Sequence, residues 1–125
     1  MSTANSATPR PEDIAPAFDS ALNRGDLDSL MALFHPEATM RMTDGSIIAE
    51  DLGVLREALA GLIAARPTIH NRVRRVLASD DIALLLLDWE IRIGETTDRG
   101  TATQIAERNA DGNWQLRVSN PLGIE

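Results

Sequence analysis

Ile82-Ala83-Leu84-Leu85-Leu86-Leu87-Asp88-Trp89-Glu90-Ile91-Arg92-Ile93 is the stretch whose reading decides the fold. Side chains of a strand alternate between two faces, and here the faces are unlike. Leu85, Leu87, Trp89, Ile91 and Ile93 form a wholly apolar set. Leu84, Leu86, Asp88, Glu90 and Arg92 start apolar and turn charged. Such a strand either leaves the core partway along or lines a cavity.

The surrounding chain has 125 residues, which fits one domain. A domain of that size buries about two thirds of its unfolded surface, so it can fold without disulfides or metal. Cysteine, lysine and tyrosine are absent, and all 12 basic residues are arginine. Thiol nucleophiles, thiolate metal sites, Schiff-base lysines and phenolic acids are thereby excluded. Carboxylates, His35, His70, arginine, hydroxyls and amides remain. The two histidines stand alone in the sequence, so no metal site and no cofactor are expected. A net charge of −7 argues against a nucleic-acid or membrane partner. The local cluster Arg72, Arg74 and Arg75 reads as a solvated strand edge. Met1 to Arg10 lacks the apolar segment of a signal peptide and reads as a flexible tail before a single domain over 11–125. No apolar run approaches the ~20 residues of a membrane span, so a cytoplasmic protein is expected.

Periodicity supplies the elements. Pro11 to Asn23 reads as a helix with Ile14, Ala17, Phe18, Ala21 and Leu22 on one face, ended by Gly25. Asp26 caps a short second helix, which His35-Pro36 ends, and Asp51 caps a third through Ala65. Strands are expected over Ala38 to Thr43, Ser46 to Ala49, Thr68 to Ala78, Ile82 to Ile93, Gly100 to Arg108 and Asn113 to Ser119. Helices first and a long antiparallel meander last give an α+β fold with helices on one sheet face. If they cover the face opposite Leu85, Leu87, Trp89 and Ile91, those residues form an apolar surface for a second copy of the chain.

Several strings carry a resemblance. Ala21-Leu22-Asn23-Arg24-Gly25-Asp26-Leu27-Asp28 and Leu33-Phe34-His35-Pro36-Glu37-Ala38-Thr39 resemble the opening of nuclear transport factor 2-like proteins. That superfamily includes ketosteroid isomerases and SnoaL-like polyketide cyclases. Gly100 to Arg108, Asp111-Gly112-Asn113-Trp114 and Ser119-Asn120-Pro121 resemble a SnoaL-like bacterial subgroup. The match spans about residues 11 to 123. It implies a strongly curved, mixed but mainly antiparallel sheet wrapped by helices into a cone with an apolar cavity. It also implies a homodimer through the outer sheet face. Aligned on this family, Leu84, Leu86, Asp88 and Glu90 face the cavity. The positions matching the isomerase tyrosine, aspartate base and protonated aspartate hold Phe18, Met42 and Gln104. Ketosteroid isomerase chemistry is therefore not expected.

Asp88 and Glu90 are then the leading catalytic candidates, since paired carboxylates in a dry site split into acid and base. His70 is a possible third catalytic group from the neighbouring strand. Phe18, Met42, Leu84, Leu86, Gln104 and Trp114 are the ligand-contact candidates. The expected function is acid–base cyclisation, isomerisation or hydrolysis of a largely apolar, oxygen-bearing molecule of polyketide or steroid type. The alternative is a non-catalytic ligand-binding or assembly module.

Overall fold

The computed structural model of the chain describes residues 7–123. A tight helical turn, Pro11–Asp13, leads into α1 (Ile14–Asn23). Gly25, at φ 73°, takes the left-handed conformation that stops it. The Asp26 carboxylate accepts from the Ser29 amide at 3.1 Å and starts α2 (Leu27–Met31). Asp51 likewise starts α3 (Leu52–Ala64) by accepting from the Val54 amide at 3.0 Å. Both caps stand where the sequence places them.

Strands β1 (Phe34–Arg41), β2 (Ile47–Ala49), β3 (Thr68–Ser79), β4 (Ile82–Ile93), β5 (Thr96–Arg108) and β6 (Trp114–Asn120) form one open sheet. Their order is β2-β1-β6-β5-β4-β3. β1 and β6 run parallel, and the other neighbours are antiparallel. Helices packed on a six-stranded mixed sheet give the α+β cone.

Two strands start earlier than their sequence signals. β1 begins at Phe34 and takes in Pro36, because its register against β6 breaks between Phe34 and Thr39. The amide that proline lacks falls in that irregular stretch. β5 begins at Thr96, because the β4–β5 hairpin needs only Gly94 and Glu95 to turn. Order also reaches back into the expected tail. Thr8 is 1% exposed, donates its hydroxyl to the Trp114 carbonyl at 2.8 Å, and has its own amide bound by Asn113. The part of that tail over Met1 to Ser6 lies outside the described residues.

The faces of β4 are the reverse of the expectation. Ala83, Leu85 and Leu87 are buried in the core, with Trp89 packed against it. Leu84 and Leu86 are only half-buried and share the outer face with Asp88 and Glu90. The proposed dimer surface of Leu85, Leu87, Trp89 and Ile91 is thus corrected: these residues face inward. A shift of one residue exchanges the two faces of a strand. The wholly apolar set goes inward because each buried leucine contributes about 1.5–3 kcal/mol. Trp114 is core too, with the Arg108 guanidinium over its ring at 5.9 Å.

Trp89 constrains its neighbour. Its indole lies across Gly100, the cross-strand residue on β5, and its Nε1 donates to the Pro121 carbonyl at 2.9 Å. A Cβ at position 100 would stand 2.8 Å from the indole ring. Gly100→Ala should therefore destabilise the fold by about 1–3 kcal/mol, by overpacking. In a Trp89→Leu background the same change should cost under about 1 kcal/mol. Chemical denaturation of the four proteins of this cycle checks the coupling, and equal costs would refute it.

Candidate functional site

β3 ends the sheet, so one side of its backbone lacks a strand partner. α1 supplies one with side chains. Asn23 accepts from the Ile69 amide at 2.7 Å and donates to the Ile69 carbonyl at 2.9 Å. One turn earlier, Asp19 accepts from the Asn71 backbone amide at 2.8 Å and from Asn71 Nδ2 at 2.6 Å. The match is geometric. Four helical residues rise about 6 Å, and two strand residues span about 6.7 Å.

Between α1, α3 and the inner sheet face lies an open cavity of about 340 Å³. This is near the lower end of the usual range for small-molecule sites. Phe18, Leu59, Leu62, Leu87, Trp89 and Ile91 supply much of its apolar wall. Phe18 is set edge-on against Phe34, with ring centroids 6.3 Å apart. Asn71, Gln104 and Ser119 are the polar groups of the interior wall. The strand ends contribute Arg41, Thr43, Thr96 and Asp98 around the mouth. Arg41 lies between Met40 and Met42, which also line the cavity, so strand alternation sets its side chain apart from theirs.

Gln104 and Ser119 face each other across β5 and β6, and Gln104 Nε2 donates to Ser119 Oγ at 3.4 Å. Ser119 is 5% exposed. Burial raises the Asp19 carboxyl above its ordinary value of 3.8, and the two Asn71 hydrogen bonds and nearby His70 partly offset this. The Asp19 side chain is 14% exposed, whereas that of His70, 4.0 Å away, is 79% exposed.

The expected catalytic pair is not in this cavity. Asp88 lies on the outer face, 3.1 Å from Arg72 and 3.6 Å from Arg74. A bulge between Val73 and Arg75 brings both arginines to it. Glu90 is 3.0 Å from Arg99 on the same face. His70 is across from Glu90, also outside. Asp88, Glu90 and His70 are therefore corrected as cavity groups, as are Leu84 and Leu86, for the same reason of strand alternation. Trp114 lies apart from the lining, in the core. Phe18, Met42 and Gln104 do line the cavity. Sequence reading missed Asp19, Asn71 and Ser119. A signal for Asp19 was present: it stands one turn before Asn23, directly beside the apolar Phe18 and Leu22.

The pattern that defines the SnoaL-like domain matches residues 15–115. The chain belongs to the SnoaL-like family. Solved structures resemble this SnoaL-like domain over most of their length. One, from Thiobacillus denitrificans, is described as a proposed calcium/calmodulin-dependent protein kinase type II association domain. It is 18% identical, with 95% of this chain and 98% of that chain covered and a TM-score of 0.78. Another is a proposed dehydratase of the NTF2-like family from Streptomyces avermitilis, 20% identical, covering 90% and 91%, at a TM-score of 0.75. A third is a proposed ketosteroid isomerase from Shewanella frigidimarina, 14% identical, covering 86% and 89%, at 0.72. No curated protein matches. No helix among the described residues is long and apolar enough to cross a membrane.

The raised Asp19 carboxyl has a pH consequence. A folded value above the unfolded one means that the folded state holds the proton more tightly. The Asp19 contribution therefore falls as pH rises from about 3.8 through the folded value, then levels off. Relative to wild type, Asp19→Asn should gain stability across that window and show a constant difference above it. Denaturant titrations at a series of pH values check this. A difference that stays flat from about pH 3 to 7 would show that burial does not govern Asp19.

Proposed function

We propose that this SnoaL-like domain binds a compact, largely apolar molecule through a carbonyl oxygen held at Ser119 and Gln104. The observation that carries this reading is the Ser119–Gln104 pair, a buried hydroxyl and an amide on the wall of a largely apolar cavity. With Gln104 donating one N–H to Ser119 Oγ, the Ser119 hydroxyl hydrogen is left without a partner among the described residues. A buried donor without an acceptor costs about 1–3 kcal/mol, which a ligand oxygen can recover.

Binding is favoured over proton transfer. Asn71, Gln104 and Ser119 do not titrate near neutrality, and Asp98 is the one carboxylate among the lining residues. A catalytic reading therefore rests on Asp98. It faces inward opposite Ile91 and stands at the mouth, where it would act as the base on a bound carbonyl compound. The dehydratase and ketosteroid isomerase descriptions of similar structures are compatible with such a ligand, though at 20% and 14% identity they speak for fold alone.

The bicyclic ketone tetralone is a suitable probe, and Trp89 in the wall is its reporter. Tetralone should change the tryptophan fluorescence saturably, and Trp89→Phe should abolish that change. Ser119→Val should weaken binding about fivefold, the equivalent of one hydrogen bond. A signal that never saturates, or that survives Trp89→Phe, would defeat the reading.

We also propose that the outer sheet face pairs two copies of the chain. Leu77, Leu84, Ile105 and Val118 form a cross-strand apolar row there, with Leu86 beside Leu84. Arg72, Asp88, Glu90 and Arg99 flank it with both charge signs, which suits a self-complementary contact. Leu86→Asp should halve the molar mass measured by light scattering. An unchanged mass would remove this face as the interface.

A further inference from the structure

We propose that Asp19 sets the orientation of the Asn71 amide and thereby makes the cavity select ligands that carry a hydroxyl or N–H donor. The inference rests on the cavity being a ligand site. An ionised carboxylate only accepts hydrogen bonds. Asp19 takes one from the Asn71 backbone and one from Asn71 Nδ2, at 2.8 and 2.6 Å. The amide is planar, so fixing Nδ2 on the helix turns Oδ1 to the other side. Among the described residues, no donor reaches Oδ1. Asn71 lines the cavity, so its free acceptor is presented to whatever enters.

This acceptor and the Ser119–Gln104 donor lie at different ends of the site. Gln104 pairs with Leu85 on β4, and Asn71 pairs with Trp89. Four strand residues and two strand spacings put their backbones about 16 Å apart along the sheet. The curvature of the sheet and the reach of both side chains shorten that span inside the cavity. The ligand class that satisfies both ends is a compact apolar frame with a carbonyl at one end and a hydroxyl or N–H at the other. Asp19 acts through Asn71 and is a positioning residue.

The test uses three probes on the intact chain: tetralone, tetralone with a phenolic hydroxyl on its far ring, and the methyl ether of that phenol. Wild type should bind the phenol about fivefold or more tighter than the ether, from one hydrogen bond. Asn71→Leu should erase that preference and bring phenol and ether to equal affinity. Asp19→Asn is the sharper variant. An amide at position 19 can give as well as take, so Asn71 is free to rotate and offer its N–H. The preference for phenol over ether should then shrink to about unity or invert. A purely structural role for Asp19 would move all three affinities together. Equal binding of phenol and ether by wild type would overturn the inference and leave the ketone site standing. Failure of all three probes to bind would overturn the ketone site and the inference with it. Circular dichroism of both variants confirms that they are folded, and Asn71→Ser supplies a second variant if Asn71→Leu is not.

Discussion

The structure depends on the clip between α1 and the free edge of β3. An open six-stranded sheet with helices on one face has two ways to finish. The helices can press flat onto the sheet and fill it, or one can be held at the edge and leave a hollow. Here Asp19 and Asn23 hold α1 at the edge by bonding the backbone of Ile69 and Asn71. The edge gains the hydrogen-bond partners that a seventh strand would have supplied, and its exposed ladder is blunted against pairing with another chain. Each bond adds about 0.5–1.5 kcal/mol net, and burying the Asp19 carboxylate offsets part of that. The clip is thus better understood as fixing a distance than as storing stability.

That distance gives β4 its unequal faces. Near the closed end, Leu85 and Leu87 meet the core directly and are fully buried. Further along the same face, Trp89, Ile91 and Ile93 border the hollow. The strand stays apolar on one side throughout because core and cavity both demand it. Its other side turns charged where it meets Arg72, Arg74 and Arg99 in solvent. Asp88 takes its arginine partners from the bulged edge strand, and Glu90 takes Arg99 from β5. They have no bearing on the cavity.

Local chemistry was legible in the sequence, and pairing was not. Asp26, Gly25 and Asp51 act within a few residues of where they stand, so the end of α1 and the starts of α2 and α3 could be read directly, while the end of α2, placed at His35-Pro36, falls at Met31. The limits of β4 followed from the same kind of signal. Which of its faces turned inward required a register, and the family alignment supplied one that was off by a single residue. Hydrophobic patterning alone gives the correct answer, since the uniformly apolar face is the one that burial favours. Phe18, Met42 and Gln104, which the alignment also placed, line the cavity. Asn71 and Ser119 carry no local mark. Each matters only because a partner distant in sequence, Asp19 for one and Gln104 for the other, meets it in the fold.

On the proposed reading the cavity recognises by few groups, one of which, Asn71, is set from behind its wall. An apolar enclosure of this size contributes affinity to many compact molecules alike, since the hydrophobic effect is non-directional and scales with the apolar area buried. Discrimination has to come from donors and acceptors whose direction is fixed before the ligand arrives. An amide that could rotate would accept a hydroxyl or donate to an ether with equal ease, and would select neither. Tying one end of Asn71 to a carboxylate on the helix removes that freedom. The residue that shapes selectivity is then one the ligand never touches, and it is the same residue that holds the helix to the sheet. That proposal couples selectivity and fold at Asp19, so a change there that alters what the cavity accepts also alters how the edge of the sheet is closed.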